Sequence, residues 1–327
     1  MAYYAVAGAT SWGVTLAWLL SRNGHNVTVI TRDEPEAEWV RTNRGIARLP
    51  AVVLPSTVAV APPGGLPATI DGIVIAVPAQ AVAVTIASLP VCAAPLLSAA
   101  KGLELGTARR MSEILAGAAG LGPVSVISGP NLSHEVAAGL PAAAVVASAH
   151  RESAVLWQEA LSFGAFRAYT SDDVIGVELG GALKNVVAIA AGAAWGLEFG
   201  ANAVATIMTR GLAEMTRLGV ALGAKPLTFQ GLAGVGDLAA TCFSPLSRNR
   251  RLGELLARGL SPAAALAAIG EAVEGAATAL VALQLARRAS VEMPIAEQVV
   301  AVLEGRCSVA ASMRDLLSRP LGAEADV

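Results

Sequence analysis

Six short runs, Tyr3–Ala7, Val27–Thr31, Ile73–Val77, Leu96–Ala100, Val124–Ser128 and Ala143–Ala147, are apolar at nearly every position, and several are rich in Val and Ile. A strand that is apolar on both faces has to be covered on both, which is the situation of a strand in a parallel sheet flanked by helices. Helical stretches such as Gly13–Asn23 and Gln80–Ser88 lie between the runs. Alternation of this kind predicts a doubly wound α/β sheet with its ligand at the carboxyl ends of the strands. After Asp172 the pattern changes. Val174–Trp195, Ala201–Leu222, Arg248–Arg258, Pro262–Ile269, Val273–Ser290, Pro294–Leu303 and Ser308–Leu317 all read as helices. Pro262 and Pro294 suit first-turn positions, where a missing N–H costs nothing. The expected organisation is a sheet domain over 1–175 and an all-helical domain over 176–327.

Charge narrows the function. There are 23 basic and 25 acidic side chains, a net charge of −2, which argues against a surface built to bind nucleic acid. The apolar fraction is 54% but aromatics supply only 4%, so small residues dominate and helices can pack closely. Cys92, Cys242 and Cys307 are far apart, as are His25, His134 and His150, so neither a disulfide framework nor a metal site is expected. A reducing, cytoplasmic compartment fits free thiols. The N-terminal apolar segment has no basic residue before Arg22 and is interrupted by Gly8, Thr10, Ser11 and Gly13, unlike a signal peptide or a spanning helix. Stretches such as Val186–Leu197 fall short of the roughly 20 residues that span a bilayer, so no stable membrane insertion is expected.

The first chemical signal is Gly8-Ala9-Thr10-Ser11-Trp12-Gly13, between the first strand and the first helix. It has GxGxxG spacing with Thr10 at the middle glycine's position. In such a turn the first glycine bends the chain, the last lets helix and strand pack closely, and the helix N-terminus faces a pyrophosphate. Taken alone, the spacing also fits an ordinary strand–helix turn; its place at the head of a βαβ pattern favours a dinucleotide and a Rossmann-type sheet. Gly8, Thr10 and Gly13 are therefore candidate cofactor contacts. Thr10 is expected to crowd the phosphate, since it adds a methyl and a hydroxyl and lacks glycine's access to positive φ; a hydroxyl-to-phosphate hydrogen bond is the competing outcome. At the end of the second strand, Arg32 suits the 2′-phosphate of NADP and Asp33 the ribose of NAD. Otherwise both are solvated loop charges.

The second signal is lysine where lysine is scarce. Of three, Lys101 follows an apolar strand and Lys184 lies inside an apolar helix. A buried ammonium costs several kcal/mol unless paired or functional, although a stem reaching out to solvent would explain it equally. Third, Asp237 stands alone among small apolar residues in Gly234-Val235-Gly236-Asp237-Leu238, facing a cation or ligand. Ser247 and Asn249 read as helix caps, and Arg248 offers a planar fork to a phosphate or carboxylate.

These motifs together resemble the bacterial NAD(P)-dependent glycerol-3-phosphate dehydrogenases over nearly the whole chain. The resemblance rests on Ser98-Ala99-Ala100-Lys101-Gly102, Ser128-Gly129-Pro130-Asn131, Gly180-Gly181-Ala182-Leu183-Lys184-Asn185, Thr209-Arg210-Gly211-Leu212-Ala213-Glu214, Gly234 to Leu238, Ser247-Arg248-Asn249-Arg250 and Val273-Glu274-Gly275, in that order. It implies interconversion of dihydroxyacetone phosphate and sn-glycerol 3-phosphate with NADP or NAD, a supply of glycerophospholipid precursor, and a homodimer. It implies Lys184 as the proton donor or acceptor, and Lys101, Gly129, Asn131, Asp237, Ser247, Arg248 and Asn249 around the substrate. Ser11, Trp12, Arg32, Lys101, Ser133, Arg248, Ala272 and Glu274 would touch the cofactor. The chain departs from the family at Thr10, at Trp195 and Ala201, where aspartates are common, and at Ala277, where arginine is common.

On this reading a Lys184 ammonium protonates the nascent alkoxide, Asp237 orients the ammonium or a substrate hydroxyl, and Arg248 clamps the remote phosphate. Two other readings compete: a reductase of another small hydroxy acid with the same two-domain plan, and a non-catalytic NADP-binding sensor.

Overall fold

The computed structural model describes residues 1–67, 69–90, 93–118, 120 and 122–319. Cys92 lies outside them. The chain divides into two compact units, one formed by Met1–Lys101 with Arg109–Glu178, the other by Gly102–Ala108 with the chain from Leu179 onward.

Among the described residues the first unit holds eight strands: β1 (Tyr3–Ala7), β2 (Asn26–Ile30), β3 (Val58–Ala61), β4 (Gly72–Ile75), β5 (Leu96–Ser98), β6 (Val124–Ser128), β7 (Ala142–Ser148) and β8 (Phe166–Ser171). They form one sheet in the order β3-β2-β1-β4-β5-β6-β7-β8. Its helices are α1 (Ser11–Arg22), α2 (Glu34–Asn43), α3 (Val82–Ser88), α4 (Met111–Ala116), α5 (Ser133–Ala137) and α6 (Arg151–Leu161). The period of two along a strand explains the layers. On β1, Tyr4 and Val6 pack into a core with Leu16 and Leu20 of α1 and Trp157 of α6. Ala5 and Ala7 pack into a second core on the other face, with Val82 and Ile86 of α3 and Ile114 and Leu115 of α4. β1 is the pivot. It pairs in parallel with β2 on one side and β4 on the other, with Val6 opposite both Val29 and Val74. Strand order reverses there, and such a switch point leaves a crevice beyond the carboxyl ends.

Two expectations need correction. β3 and β8 were not foreseen, and β7 runs antiparallel to β6, with Ile127 opposite Val146. A parallel return crosses back along the strand, usually on a helix, and at about 1.5 Å per residue a five-residue helix is shorter than the strand it would have to span. Only the five-residue α5 interrupts the loop between β6 and β7, so the chain turns back on itself.

The helical part follows as α7 (Val174–Gly196), α8 (Gly200–Ala221), α9 (Pro226–Phe229), α10 (Asp237–Phe243), α11 (Arg248–Ala257), α12 (Pro262–Ile269), α13 (Glu274–Ala289), α14 (Pro294–Leu303) and α15 (Val309–Leu317). α9, α10 and a π-helical turn at Leu232–Gly236 were not foreseen. Among the described residues, α7 is the helix long and apolar enough to cross a membrane, and 89% of its apolar window is buried inside the protein.

Glu214 of α8 lies buried against the start of α14, where its carboxylate accepts from the amides of Ile295 (2.7 Å) and Ala296 (3.3 Å). These are orphan donors of a helix N-terminus. Burial nevertheless pushes the carboxyl up from 4.5 to about 7, against the pull of those two amides. A carboxyl whose pKa is raised in the folded state contributes stability that is full below about pH 4.5 and lost as pH climbs through about 7. Thermal melts should therefore show the parent losing stability between about pH 5 and pH 8. Glu214→Gln, with no proton to release, should flatten that slope; an unchanged slope would assign it to another group.

Candidate active site

The β1–α1 turn lies at the switch point. Gly8 has φ +116°, a conformation side chains rarely adopt, and a Cβ there would stand 2.8 Å from Val77 Cγ1 and 2.9 Å from the Ala76 carbonyl oxygen. A Cβ on Gly13 would lie 2.1 Å from the Gly8 carbonyl oxygen, so the helix can approach the turn this closely only without one. The amides of Ser11 and Trp12 are among the first of α1 and have no intrahelical carbonyl to reach. The Trp12 indole N–H is buried without a partner.

Thr10 is the N-cap of α1. Its hydroxyl oxygen accepts from Gly13 N (3.0 Å) and its proton goes to the carbonyl of Ala76 (2.7 Å), tying the helix start to the end of β4. Its φ is −81°, so the conformation needs no glycine and the argument from positive φ falls away. With its one proton held by Ala76, the hydroxyl is not set to donate to a phosphate. Thr10→Gly should then destabilise the fold by up to about 1 kcal/mol through the lost cap and the freer unfolded chain. Chemical denaturation measures this, and titration of NADPH into both proteins tests crowding: weaker binding by the glycine variant would end that idea.

Arg32 follows β2 with its side chain 78% exposed, 3.4 Å from Glu36 and 3.6 Å from Asp33. Asp33 caps α2 by accepting from Glu36 N (2.8 Å). Exposed ion pairs are worth at most about 1 kcal/mol, so Arg32 is easily redirected to a phosphate. Lys101 follows β5. Its ammonium donates to the carbonyl of Gly129 (2.9 Å) and to Asn131 Oδ1 (2.7 Å), bringing three candidates together. The Asn131 Nδ2 is buried with no partner, a donor left for a ligand. Ser133 opens α5.

In the second unit Lys184 of α7 is 6% exposed and does not reach out to solvent. Its ammonium donates to Asp237 Oδ1 (2.5 Å) and Thr241 Oγ1 (2.7 Å), both on α10. Asp237 is 2% exposed. The carboxylate makes a buried ammonium tolerable, and the Thr241 hydroxyl passes its own proton to the Asp237 carbonyl (2.6 Å). Thr241 was missed in the sequence; its spacing of four from Asp237 on one helix face was the available signal. Cys242, also buried, is no nucleophile. Burial pushes its thiol up to about 12, although Lys184 and Arg250 pull the other way.

Ser247 caps α11, accepting from Arg250 N (3.2 Å), as its sequence position implied. Asn249 is no cap. Its Oδ1 accepts from Gly275 N (3.0 Å) and its Nδ2 donates to Asn185 Oδ1 (2.8 Å), so it bridges α7, α11 and α13. Arg248 donates to the carbonyl of Ala272 (2.8 Å) and lies 3.5 Å from Glu271, and Glu274 opens α13. In the first unit the geometry offers an anion-binding helix N-terminus, Arg32 lining a pocket with Ala9, and Lys101 held by Gly129 and Asn131. In the second it offers a buried acid–base pair and a semi-exposed guanidinium.

Family models described as the N-terminus and C-terminus of NAD-dependent glycerol-3-phosphate dehydrogenase match residues 4–154 and 173–314. A protein of Frankia casuarinae named glycerol-3-phosphate dehydrogenase (NAD(P)+) is 45% identical, over 98% of this chain and 97% of its own. One of the same name from Corynebacterium kroppenstedtii is 46% identical, over 99% of this chain and all of its own. The crystal structure of glycerol-3-phosphate dehydrogenase from Coxiella burnetii superposes with a TM-score of 0.91 at 37% identity, covering 97% of this chain and 99% of that one.

Proposed function

Because the chain belongs to the NAD-dependent glycerol-3-phosphate dehydrogenase family, we propose that it interconverts dihydroxyacetone phosphate and sn-glycerol 3-phosphate with NADP or NAD. The observation that carries this reading is the buried ammonium of Lys184, held by Asp237 at 2.5 Å and Thr241 at 2.7 Å. A sensor has no use for so costly a group.

The first unit fits the nucleotide: the crowded turn at Gly8 and Gly13, the orphan amides of α1 and the unpartnered Trp12 indole are what a pyrophosphate and its neighbours would fill. When bound, the nicotinamide supplies the hydride for the carbonyl carbon. The protein does the rest. Lys184 gives the oxygen a proton as the hydride arrives and, as the neutral amine, takes it back in the oxidation. Asp237 and Thr241 fix two of the ammonium's three protons, leaving the third for the substrate oxygen. Arg248, with Ser247 at the head of α11, would hold the phosphate, and Lys101 with the free Nδ2 of Asn131 would hold substrate hydroxyl or cofactor oxygens. Binding at the phosphate orients the reacting carbonyl.

Oxidation of NADPH on addition of dihydroxyacetone phosphate, compared with NADH and with a panel of 2- and 3-hydroxy acid precursors, tests the activity. Preference for an unphosphorylated keto acid would replace this reading with the hydroxy-acid alternative. Arg32→Ala should weaken NADPH about tenfold, the value of a charge-assisted contact, and leave NADH nearly unchanged. Equal losses in fluorescence titrations would make Arg32 a plain surface charge. We further propose a cytoplasmic homodimer that supplies the glycerol phosphate of phospholipids; the compartment is supported by the free thiols of Cys242 and Cys307. Light scattering decides the assembly.

A further inference from the structure

Three helices carry the second unit's candidate residues: α7 has Lys184, α10 has Asp237 and Thr241, and α11 begins at Arg248 and Asn249. One side chain, Arg250, reaches all three. Its Nη1 donates to the carbonyl of Phe243, the last residue of α10 (2.5 Å). Its Nε donates to Glu254 Oε1 one turn along α11 (2.7 Å). Its guanidinium carbon lies 4.9 Å from the ring centre of Trp195, near the end of α7. The Phe243 ring meets the Trp195 indole edge-on at 6.3 Å, closing the cluster. The side chain of Arg250 is only 16% exposed, so these contacts are sheltered from the screening that weakens surface pairs.

The backbones are equally close. A Cβ on Gly192 of α7 would lie 2.0 Å from the Arg250 carbonyl oxygen, so α7 and α11 touch main chain to main chain where Arg250 sits. Trp195 follows Lys184 by eleven residues, about three turns, and so lies on the same face of α7, about 16 Å along the axis. Any rocking of α10 or α11 against α7 at this end would move Asp237, Thr241 and Arg248 relative to Lys184.

We infer that Arg250 is a positioning residue, a three-way strut that holds the Lys184–Asp237–Thr241 group in register with Arg248 and Asn249. It touches none of the reacting atoms and acts through the helices. Only a planar guanidinium can donate along two in-plane directions while stacking its face on an indole; an ammonium has no such face. The inference rests on the proposed reductase activity.

The test is Arg250→Lys, which keeps the charge, with Arg250→Met as the harsher variant. Arg250→Lys should fold with a melting temperature within a few degrees of the parent. Its kcat for dihydroxyacetone phosphate should fall about 10–100-fold, as misplacement of about 1 Å can cost, and KM should rise several-fold. The primary isotope effect on kcat, with NADPH deuterated at the transferred position, should grow as the chemical step becomes limiting. A variant that merely contains less folded protein loses kcat in proportion and keeps the parent's KM and isotope effect; that result, or parent-like kinetics, overturns the inference. Should the parent itself not turn over dihydroxyacetone phosphate, the activity fails separately. Hydrogen exchange of the Asp237–Ser244 amides then decides for Arg250: faster exchange in Arg250→Lys supports the strut and unchanged exchange removes it.

Discussion

Lys184→Met is expected to lower kcat by about 10²–10⁴-fold, the usual cost of losing a general acid, while NADPH binding in fluorescence titrations stays close to that of the parent. The structure adds a second expected effect. Without the ammonium, the Asp237 carboxylate, 2% exposed, loses the counter-charge held at 2.5 Å, and breaking one side of a buried pair costs about 3–5 kcal/mol. The single variant should therefore be both inactive and less stable. Lys184→Met with Asp237→Asn removes both charges and should recover much of the stability but none of the turnover. Thermal melts beside initial rates separate the two. Turnover within a few-fold of the parent in either variant would remove Lys184 from proton transfer.

Gly8→Ala is expected to weaken NADPH by about 10²-fold or more. Holding alanine at φ +116° costs about 1–3 kcal/mol by itself. The new methyl would also press on the Ala76 backbone carbonyl at 2.9 Å and the Val77 Cγ1 methyl at 2.8 Å, just past the end of β4. The turn must shift, carrying the α1 amides away from a pyrophosphate, and a shift of about 1 Å is enough for a loss of this size. Isothermal titration measures it. Parent-like affinity would show that the nucleotide does not depend on this turn.

The inner strands were legible because burial on both faces leaves unbroken apolar runs. β3 and β8 were not, because they lie at the two edges of the sheet. Val58–Ala61 alternates buried and exposed and is made of Val and Ala, and Phe166–Ser171 exposes Arg167, Tyr169 and Thr170. Strand direction is also absent from an apolar run, which reads the same both ways; the short helix α5 in the link between β6 and β7 was the better guide. At the site, Lys184 and Asp237 stood out as charges in apolar surroundings. Thr241 did not, because a threonine among alanines on a helix looks like filler until its partner is known. The cap at Thr10 was hidden for a different reason: the glycine template drew attention to what the side chain might obstruct, and Ala76, 66 residues on, is its acceptor.

The chain of side-chain amides from Asn185 through Asn249 to the Gly275 N–H has a consequence for how this protein's rates can be interpreted. Amides neither gain nor lose protons across the working range, and salt does not screen a dipole contact buried at this depth. This amide link between α7, α11 and α13 is thus silent to acidity and ionic strength. A pH dependence of the rate therefore belongs to ionisable groups of the protein or of the substrate, not to this amide link.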